Sequence, residues 1–495
     1  MTTPGLSKSR ITSFEQCPKK LWLSVRRPEL RQEDPTSLIR LAMGNELGAL
    51  ARTLAPGGVL VEAEPDLKAA LRQTAALLAG GHAGPIYEAT FAHDGVLVQA
   101  DIIEPTSEGQ WALAEVKSTT SVRDYHSGDV ATQVWVMRNA GLSIASAAVR
   151  HVDTAFVLNT PGDYRGLLVD QRLDDLEPII KDRPAVVAGA REALTGAEPQ
   201  REMGRHCRKP FPCEFQAYCG RNQPLATEWP IDLMPKTGKK IAAQWAIDGV
   251  HDLRDLPEDA LESEQHRRIH RATITGNAFH DRAGVEQATA SWNFPRHYLD
   301  FETIAPPIPR WLGTRPYQHV PFQFSCHTET EDGNISHTEY LSIGGDDPRR
   351  GLALGLVACL WEGDAREGAI ITYNAHFERA CIRHLADALP DLSEQLLEIA
   401  GRIVDLLPVT RQNFYHRDQR GSWSIKNVIA AVAPELDYAG LEVGDGQSAQ
   451  YAWTEATGPT TNPDRREAIR NVLQEYCRRD TWAMVILLRR LLSAD

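Results

Sequence analysis

Apolar and polar positions alternate with a period of two in several short runs, and each run carries charge at a set place. Trp111-Ala112-Leu113-Ala114-Glu115-Val116-Lys117-Ser118 reads as a buried strand with Glu115 and Lys117 on one face. Val96–Ile103 reads as a second strand with Asp101 at its centre. Charges on apolar strands are costly unless something there uses them. Helical spacing appears elsewhere. A helix capped by Ser7 or Ser9 turns Ile11 and Phe14 toward a core and ends at Cys17-Pro18. Arg40–Ala51 reads as a helix with Gly44, Gly48 and Ala51 nearly on one side for close packing. Glu46 on that helix is a surface charge or, against the two strands, a third metal carboxylate. Asp129–Met137 is helical in period, with Gln133 as its polar residue on the apolar side. Gln133 is a satisfied core amide or a support for Lys117 or a phosphate.

The C-terminal half opens on Arg296–Thr303, a strand whose Asp300 and Glu302 share a face. Phe322–His327 and Thr338–Ile343 read as further strands of a meander, and 351–361 as a helix. Ala369–Asn374 is a buried strand leading into a helix with Glu378, and Arg402–Leu406 adds Asp405. On the last helix Tyr476 and Asp480 lie one turn apart. Between the halves, Pro224, Pro230 and Pro235 precede a helical stretch at Thr237–Gly249 and a short one at Leu253–Pro257. That is a compact helical connector, faintly like a helix-hairpin-helix.

Composition narrows the picture. At 495 residues and 42% hydrophobic, the chain is long enough for two or more cored domains. It has no apolar run of membrane-spanning length, and its first residues lack a signal-peptide core, so no membrane partner and a cytoplasmic location are expected. A formal charge of −13 argues against a uniformly basic nucleic-acid binder. It does not argue against a nuclease that concentrates acids at a metal centre, and the first fifty residues are locally basic. Asp101 with Glu115-x-Lys117 suits that chemistry: carboxylates hold a hard cation, and the lysine positions water or phosphate. Of eight cysteines, Cys207, Cys213 and Cys219 are spaced by five residues each. Cys326, Cys359, Cys381 and Cys477 sit among apolar neighbours and read as core residues.

The order Gly44-x-Glu46, Asp101, Glu115-Val116-Lys117, Gln133-x3-Met137 resembles the RecB-like branch of the PD-(D/E)xK nucleases. Glu46 replaces that branch's usual His, and Met137 its usual Tyr. Members such as AddB and the CRISPR-associated exonucleases place one cysteine before the nuclease core and three after it. Cys17, Cys207, Cys213 and Cys219 match, which implies a [4Fe–4S] cluster; zinc, usually held by closer Cys pairs, fits less well. The C-terminal order resembles the DnaQ-like DEDDy exonucleases of the RNase H fold. Asp300 and Glu302 match the first motif, Glu378 stands in place of an Asp, and Tyr476-x3-Asp480 matches the third. The resemblance implies carboxylates holding two divalent ions, with Tyr476 orienting the attacking water. Asp405 is a supporting acid or a cap, and Lys426 a candidate phosphate contact.

Together the chain resembles a bacterial family that joins the two domain types. The implied α/β architecture is a RecB-like domain at 1–223, a helical connector at 224–294 and a DnaQ-like domain at 295–495. The implied activity is a Mg²⁺- or Mn²⁺-dependent DNA nuclease with two active sites. The second site would trim 3′ ends in the 3′–5′ direction. Single-stranded or end-containing DNA is the expected partner, in DNA repair or in defence against foreign DNA. The alternatives are an RNA-processing 3′–5′ exonuclease and a non-catalytic iron–sulfur nucleic-acid-binding module. The departures at Glu46, Met137 and Glu378 motivate the second.

Overall fold

The computed structural model describes residues 5–32, 35–62, 66–221, 227–436, 438 and 440–493. The chain is a mixed α/β protein of two units, Met1–Pro224 with Pro306–Gln318, and Leu225–Ala305 with His319–Asp495. Pro224, one of the predicted linker prolines, lies outside the described residues. No helix among them is long and apolar enough to cross a membrane.

The first unit runs β1 (Leu6–Ser7), α1 (Lys8–Gln16), α2 (Pro18–Arg26), α3 (Pro35–Leu54), β2 (Val59–Leu60), α4 (Leu67–Ala79), β3 (Ile86–His93), β4 (Val96–Pro105), β5 (Trp111–Lys117), α5 (Asp124–Asn139), β6 (Ile144–Val152), β7 (Leu168–Arg172), α6 (Glu177–Thr195) and α7 (Gln216–Gly220). Its sheet has the order β2-β3-β4-β5-β6-β7, with β1 beside β4. β3, β4 and β5 form an antiparallel meander. Asp94 and Gly95, both left-handed, make the two-residue turn between β3 and β4. β6 returns parallel to β5, which requires a crossover, and α5 provides it. Apolar almost all round, α5 is buried continuously from Asp129 to Met137. The cap of α1 is Ser7, whose hydroxyl accepts from the Arg10 amide at 3.3 Å. Residues 306–318 also pack in this unit. Gly313 N donates to Leu158 O at 2.8 Å, and Tyr317 OH donates to Ser118 O at 2.6 Å. Ile308 joins a core cluster with Leu47, Val152 and Leu167.

The second unit runs α8 (Gly238–Trp245), α9 (Glu264–Thr275), β8 (Phe279–His280), α10 (Arg282–Thr289), β9 (Arg296–Ile304), β10 (Val320–Glu329), β11 (Ile335–Leu341), α11 (Arg349–Leu360), β12 (Ile370–Thr372), α12 (Ala375–Ala388), α13 (Ser393–Gly401), β13 (Ile403–Asp405), α14 (Leu406–Asn413), β14 (Phe414–Tyr415), α15 (Ile425–Val432), α16 (Gly446–Ala456) and α17 (Pro463–Leu492). Its main sheet has the order β11-β10-β9-β12-β13. The first three strands are antiparallel, and β12 and β13 continue parallel to β9. The stretch expected as a separate connector is part of this unit. Trp229, Ile231, Leu253, Leu256 and Ile269 are buried in one cluster with Leu406, Met484 and Leu488, because that much apolar surface is more stable in a core than in a linker.

The second cluster behind the sheet contains Leu352 and Leu356 of α11 with Phe324 of β10. Leu352 is fully buried, whereas Leu354 on the same helix is 48% exposed. Leu352→Ala is expected to destabilise this unit by about 2–5 kcal/mol and Leu354→Ala by under about 1 kcal/mol, read from urea unfolding of each variant.

Candidate functional site

In the first unit, Asp101 lies within β4, one residue before the first that pairs with β5, Ile102 opposite Ala114. Its Oδ2 accepts from Val116 N at 2.7 Å, which fixes it beside Glu115. Glu115 is 1% exposed and every oxygen it has is engaged. Oε1 accepts from Lys117 Nζ and from Lys8 Nζ, both at 2.7 Å, and Oε2 accepts from Gln133 Nε2 at 2.8 Å. Lys117 also donates to Asp129 Oδ2 at 2.9 Å. Asp129 and Gln133 stand one turn apart on α5, so one helix face supplies both partners. Asp101, Glu115, Lys117 and Gln133 are therefore brought together.

Burial disfavours charge throughout this site, and the lysines decide where charge survives. Burial and then the Glu115 charge push the Asp101 carboxyl up to about 7. Burial would raise Glu115 too, but Lys8 and Lys117 outweigh it and hold that carboxyl far below the usual range. Both ammoniums are held well above the usual lysine value despite burial, chiefly by Glu115.

Glu46 is not brought in. It is exposed on α3 and lies outside the lining of the roughly 520 Å³ cleft in front of Asp101 and Glu115. Gly44, Leu47 and Gly48 of the same helix face that cleft, and Glu46 falls about 100° or more from that face. A different acid lines the cleft, Glu88 on β3. The ladder passes from Tyr87 opposite Ile102 to Ala89 opposite Ala100, which sets Glu88 across from Asp101. Its φ of +53° is left-handed, a conformation a glutamate adopts only when its surroundings impose it. Arg52 stands 3.6 Å away, and burial raises the Glu88 carboxyl. A glutamate inside the run Ile86-Tyr87-Glu88-Ala89 was the signal for it. Lys8 and Asp129 had none beyond a basic N-terminus and helical phase. Met137 is fully buried and serves the core.

The cysteines at the two ends of this unit meet. Cys17 caps the C-terminus of α1, and Cys213 N donates to Cys207 O at 2.8 Å. Gln16 Nε2 reaches His206 O at 2.8 Å and Phe211 O at 2.7 Å, tying the end of α1 to that loop. Cys213 lies close enough to Cys17 to feel its charge, as Cys219 does to Cys17 and Cys207. All four thiols are free. Burial pushes Cys213 up to about 11 and raises Cys219, so thiolates at these positions need a cation. Lys19 and Lys20 supply part of that charge. Four thiols brought near one another from distant segments suit a soft metal or an iron–sulfur cluster by donor type, although among the described residues their ligand atoms do not gather within 4.8 Å as those of Asp300, Glu302 and Cys477 do.

In the second unit, β9 places Asp300 and Glu302 on one face, and α17 brings Tyr476, Cys477 and Asp480 against them. Cys477 Sγ is 3.9 Å from Asp300 Oδ2, and donor atoms of Asp300, Glu302 and Cys477 lie within 4.8 Å of one another. Cys477 is thus a core thiol that also borders the acids. Glu378, the fourth residue of α12, is 3% exposed, and its Oε2 has no hydrogen-bond partner. Tyr438, unmarked in the sequence, donates to Asp480 Oδ1 at 2.7 Å. Lys426 Nζ donates to Tyr476 OH at 3.0 Å. Asp405 is a capping residue: it accepts from Leu407 N at 3.0 Å and from Asn374 N and Ala375 N at 3.1 Å each.

The electrostatics here are one-sided. Burial, then Asp480, Glu302 and Glu378, push Asp300 far above the carboxylate range. Glu302 is raised by burial and Asp480, with Lys426 opposing. Burial pushes Glu378 up to about 8. Asp480 is raised by burial, although the Tyr438 hydrogen bond opposes it. Such a cluster ionises fully only when cations enter it.

Residues 297–424 match the model of a family described as a domain of unknown function, DUF2779. That span includes Asp300, Glu302 and Glu378 and ends before α15. No curated protein matches the chain. Among solved structures, one titled "Crystal structure of SSO0001" is similar at 12% identity over 37% of this chain and 75% of that chain, with a TM-score of 0.18.

Proposed function

We propose that the chain is a divalent-metal-dependent nuclease with two active sites, a RecB-like PD-(D/E)xK site in the first unit and a DnaQ-like 3′–5′ exonuclease site of the RNase H kind in the second. The observation that carries this reading is the set of buried acids Asp300, Glu302, Glu378 and Asp480, with Lys426 as the ammonium that offsets them. The topology supports it: adjacent strands β3, β4 and β5 carry Glu88, Asp101 and Glu115 in the first unit, and in the second the central strand β9 carries Asp300 and Glu302 while α12 and α17 carry Glu378 and Asp480.

When bound, Mg²⁺ or Mn²⁺ ions supply charge neutralisation and a Lewis-acid clamp on the scissile phosphate. Asp300, Glu302, Glu378 and Asp480 would hold them in the second unit, and Asp101, Glu115 and Glu88 in the first. The Tyr476 hydroxyl, which accepts from Lys426, orients the water whose oxygen attacks phosphorus. The P–O3′ bond breaks and the leaving oxygen takes a proton, releasing a nucleoside 5′-monophosphate. In the first unit Lys117 Nζ, steered by Glu115 and Asp129, faces the cleft and meets the attacking water or a phosphate oxygen. Cys17, Cys207, Cys213 and Cys219 would hold a [4Fe–4S] cluster that staples the two ends of this unit. DNA, single-stranded or with free ends, is the substrate proposed, acted on in repair or in defence against foreign DNA.

Asp300→Asn is expected to lower nucleotide release from end-labelled single-stranded DNA by at least about a hundredfold, and Lys117→Ala to do the same for the first site. Parallel digests of RNA of equal sequence measure the sugar preference. Equal, slow release by wild type and the double variant would mean that neither site hydrolyses phosphodiesters. Protein purified without oxygen is expected to contain iron and acid-labile sulfide in equal amounts, and Cys213→Ser to lose both. Zinc without sulfide would replace the cluster by a structural zinc site.

A further inference from the structure

Lys8 is a part of the first acid site that the proposed chemistry leaves without a role. We propose that its ammonium is an exchangeable counter-ion: it holds Glu115 until a divalent cation takes that carboxylate, and then moves to Asp129. The inference rests on the metal-binding reading of the first site.

Glu115 Oε1 accepts from two ammoniums at 2.7 Å each, and Oε2 is taken by Gln133. The side chain is 1% exposed, so water cannot extend its capacity. A divalent ion bound at about 2.1 Å from Oε1 would stand against both positive groups, so one must leave. Lys117 already has a second acceptor, Asp129 Oδ2 at 2.9 Å, and can keep its place. Lys8 has no other hydrogen-bond acceptor among the described residues, and so its bond is the one to break. The place for it to go is already built. Asp129 Oδ1 lies 4.0 Å from Lys8 Nζ, and it is buried without a hydrogen-bond partner. A buried carboxylate oxygen left unpaired is costly, and a shift of about 1 Å by the ammonium would satisfy it.

Lys8 is the first residue of α1, at the end of a flexible four-carbon stem, so the move needs only side-chain rotation. Before a metal arrives, the two lysines keep Asp101, Glu115 and Asp129 from repelling one another. Afterwards the Lys8 ammonium and Asp129 pair beside the ion. The cost is affinity, because the incoming ion must displace a like charge.

The experiment is a Mn²⁺ titration of the full chain, read by calorimetry and by the electron paramagnetic resonance of free Mn²⁺. Asp300→Asn and Asp480→Asn are present throughout to silence the second unit. Lys8→Gln is expected to bind Mn²⁺ about tenfold more tightly, and Lys8→Arg, which keeps the charge, to bind as the parent does. Asp129→Asn is expected to weaken binding severalfold in the Lys8 chain and far less in Lys8→Gln. Unchanged or weaker binding by Lys8→Gln, or an Asp129→Asn effect of equal size in both backgrounds, overturns the exchange. A separate control tests the site itself: if Asp101→Asn with Glu115→Gln leaves Mn²⁺ binding untouched, the metal reading of the first unit fails and the exchange with it.

Discussion

Carboxylates gathered in a poorly solvated site repel one another, and the groups around both sites answer that repulsion. In a medium of low effective dielectric, two like charges a few ångströms apart cost several kcal/mol unless protons or cations intervene. The two units meet this constraint differently. The first brings its own cations: Lys8 and Lys117 converge on Glu115, Gln133 takes the remaining oxygen, and Asp101 is raised, by burial and the Glu115 charge, as far as about 7. The second is poorer in cations: Lys426 opposes the rise of Glu302 and Asp480 and Arg379 that of Glu378, yet all four acids are raised, Asp300 and Glu302 well above their ordinary range.

This difference has a structural origin. In the first unit the acids lie next to a helix that begins at residue 8 and a crossover helix that ends two residues after Met137, and each can lend polar groups to the strand surface. In the second, the acids lie between β9 and α17, and the face of α17 turned toward them carries Leu473, Tyr476, Cys477 and Asp480. An aromatic, a thiol and another acid cannot neutralise Asp300. The Tyr438 and Lys426 contacts temper Asp480 and Tyr476 without removing the charge deficit. On the reading proposed above, that deficit is what a pair of divalent ions would fill.

What could be read from the amino-acid order follows from the range of the signal. Glu115, Lys117 and Asp101 were legible because strand periodicity places i and i+2 on one face, and Tyr476 with Asp480 because helical periodicity does the same at i and i+4. Lys8, Asp129 and Tyr438 were not, since each reaches the site through tertiary packing that no local pattern encodes. Glu46 failed for a narrower reason. Its helix was correctly placed and slightly short at both ends, but several phases of a 3.6-residue repeat satisfy the same small residues, and the one adopted turns Gly44 and Gly48, not Glu46, to the cleft. The connector reading rests on prolines, which mark chain reversal whether or not the segment is buried; the burial of Trp229 and Ile231 in the second unit's core comes from tertiary packing that no local pattern encodes.

Two residues with left-handed backbones carry the argument one step further. Glu88 interrupts β3 with φ of +53°, and Asn374 joins β12 to α12 with φ of +86°. Neither is glycine, so each conformation costs of order 1 kcal/mol and persists only because neighbours hold it. Both stand beside an acid of the candidate sites. Glu88 is set opposite Asp101 at the one pair the β3–β4 ladder skips while keeping its register, and Asn374 directs its amide to Asp405 and starts the helix whose fourth residue is Glu378. Residues opposite one another share a face of the sheet, and Glu88 and Asp101 line the same cleft. In each unit the left-handed residue thus stands next to a carboxylate, Asp101 opposite Glu88 and Asp405 on the Asn374 amide. Glycine would adopt either conformation without the cost of a side chain, and a glutamate at the first adds an acid to the cleft instead.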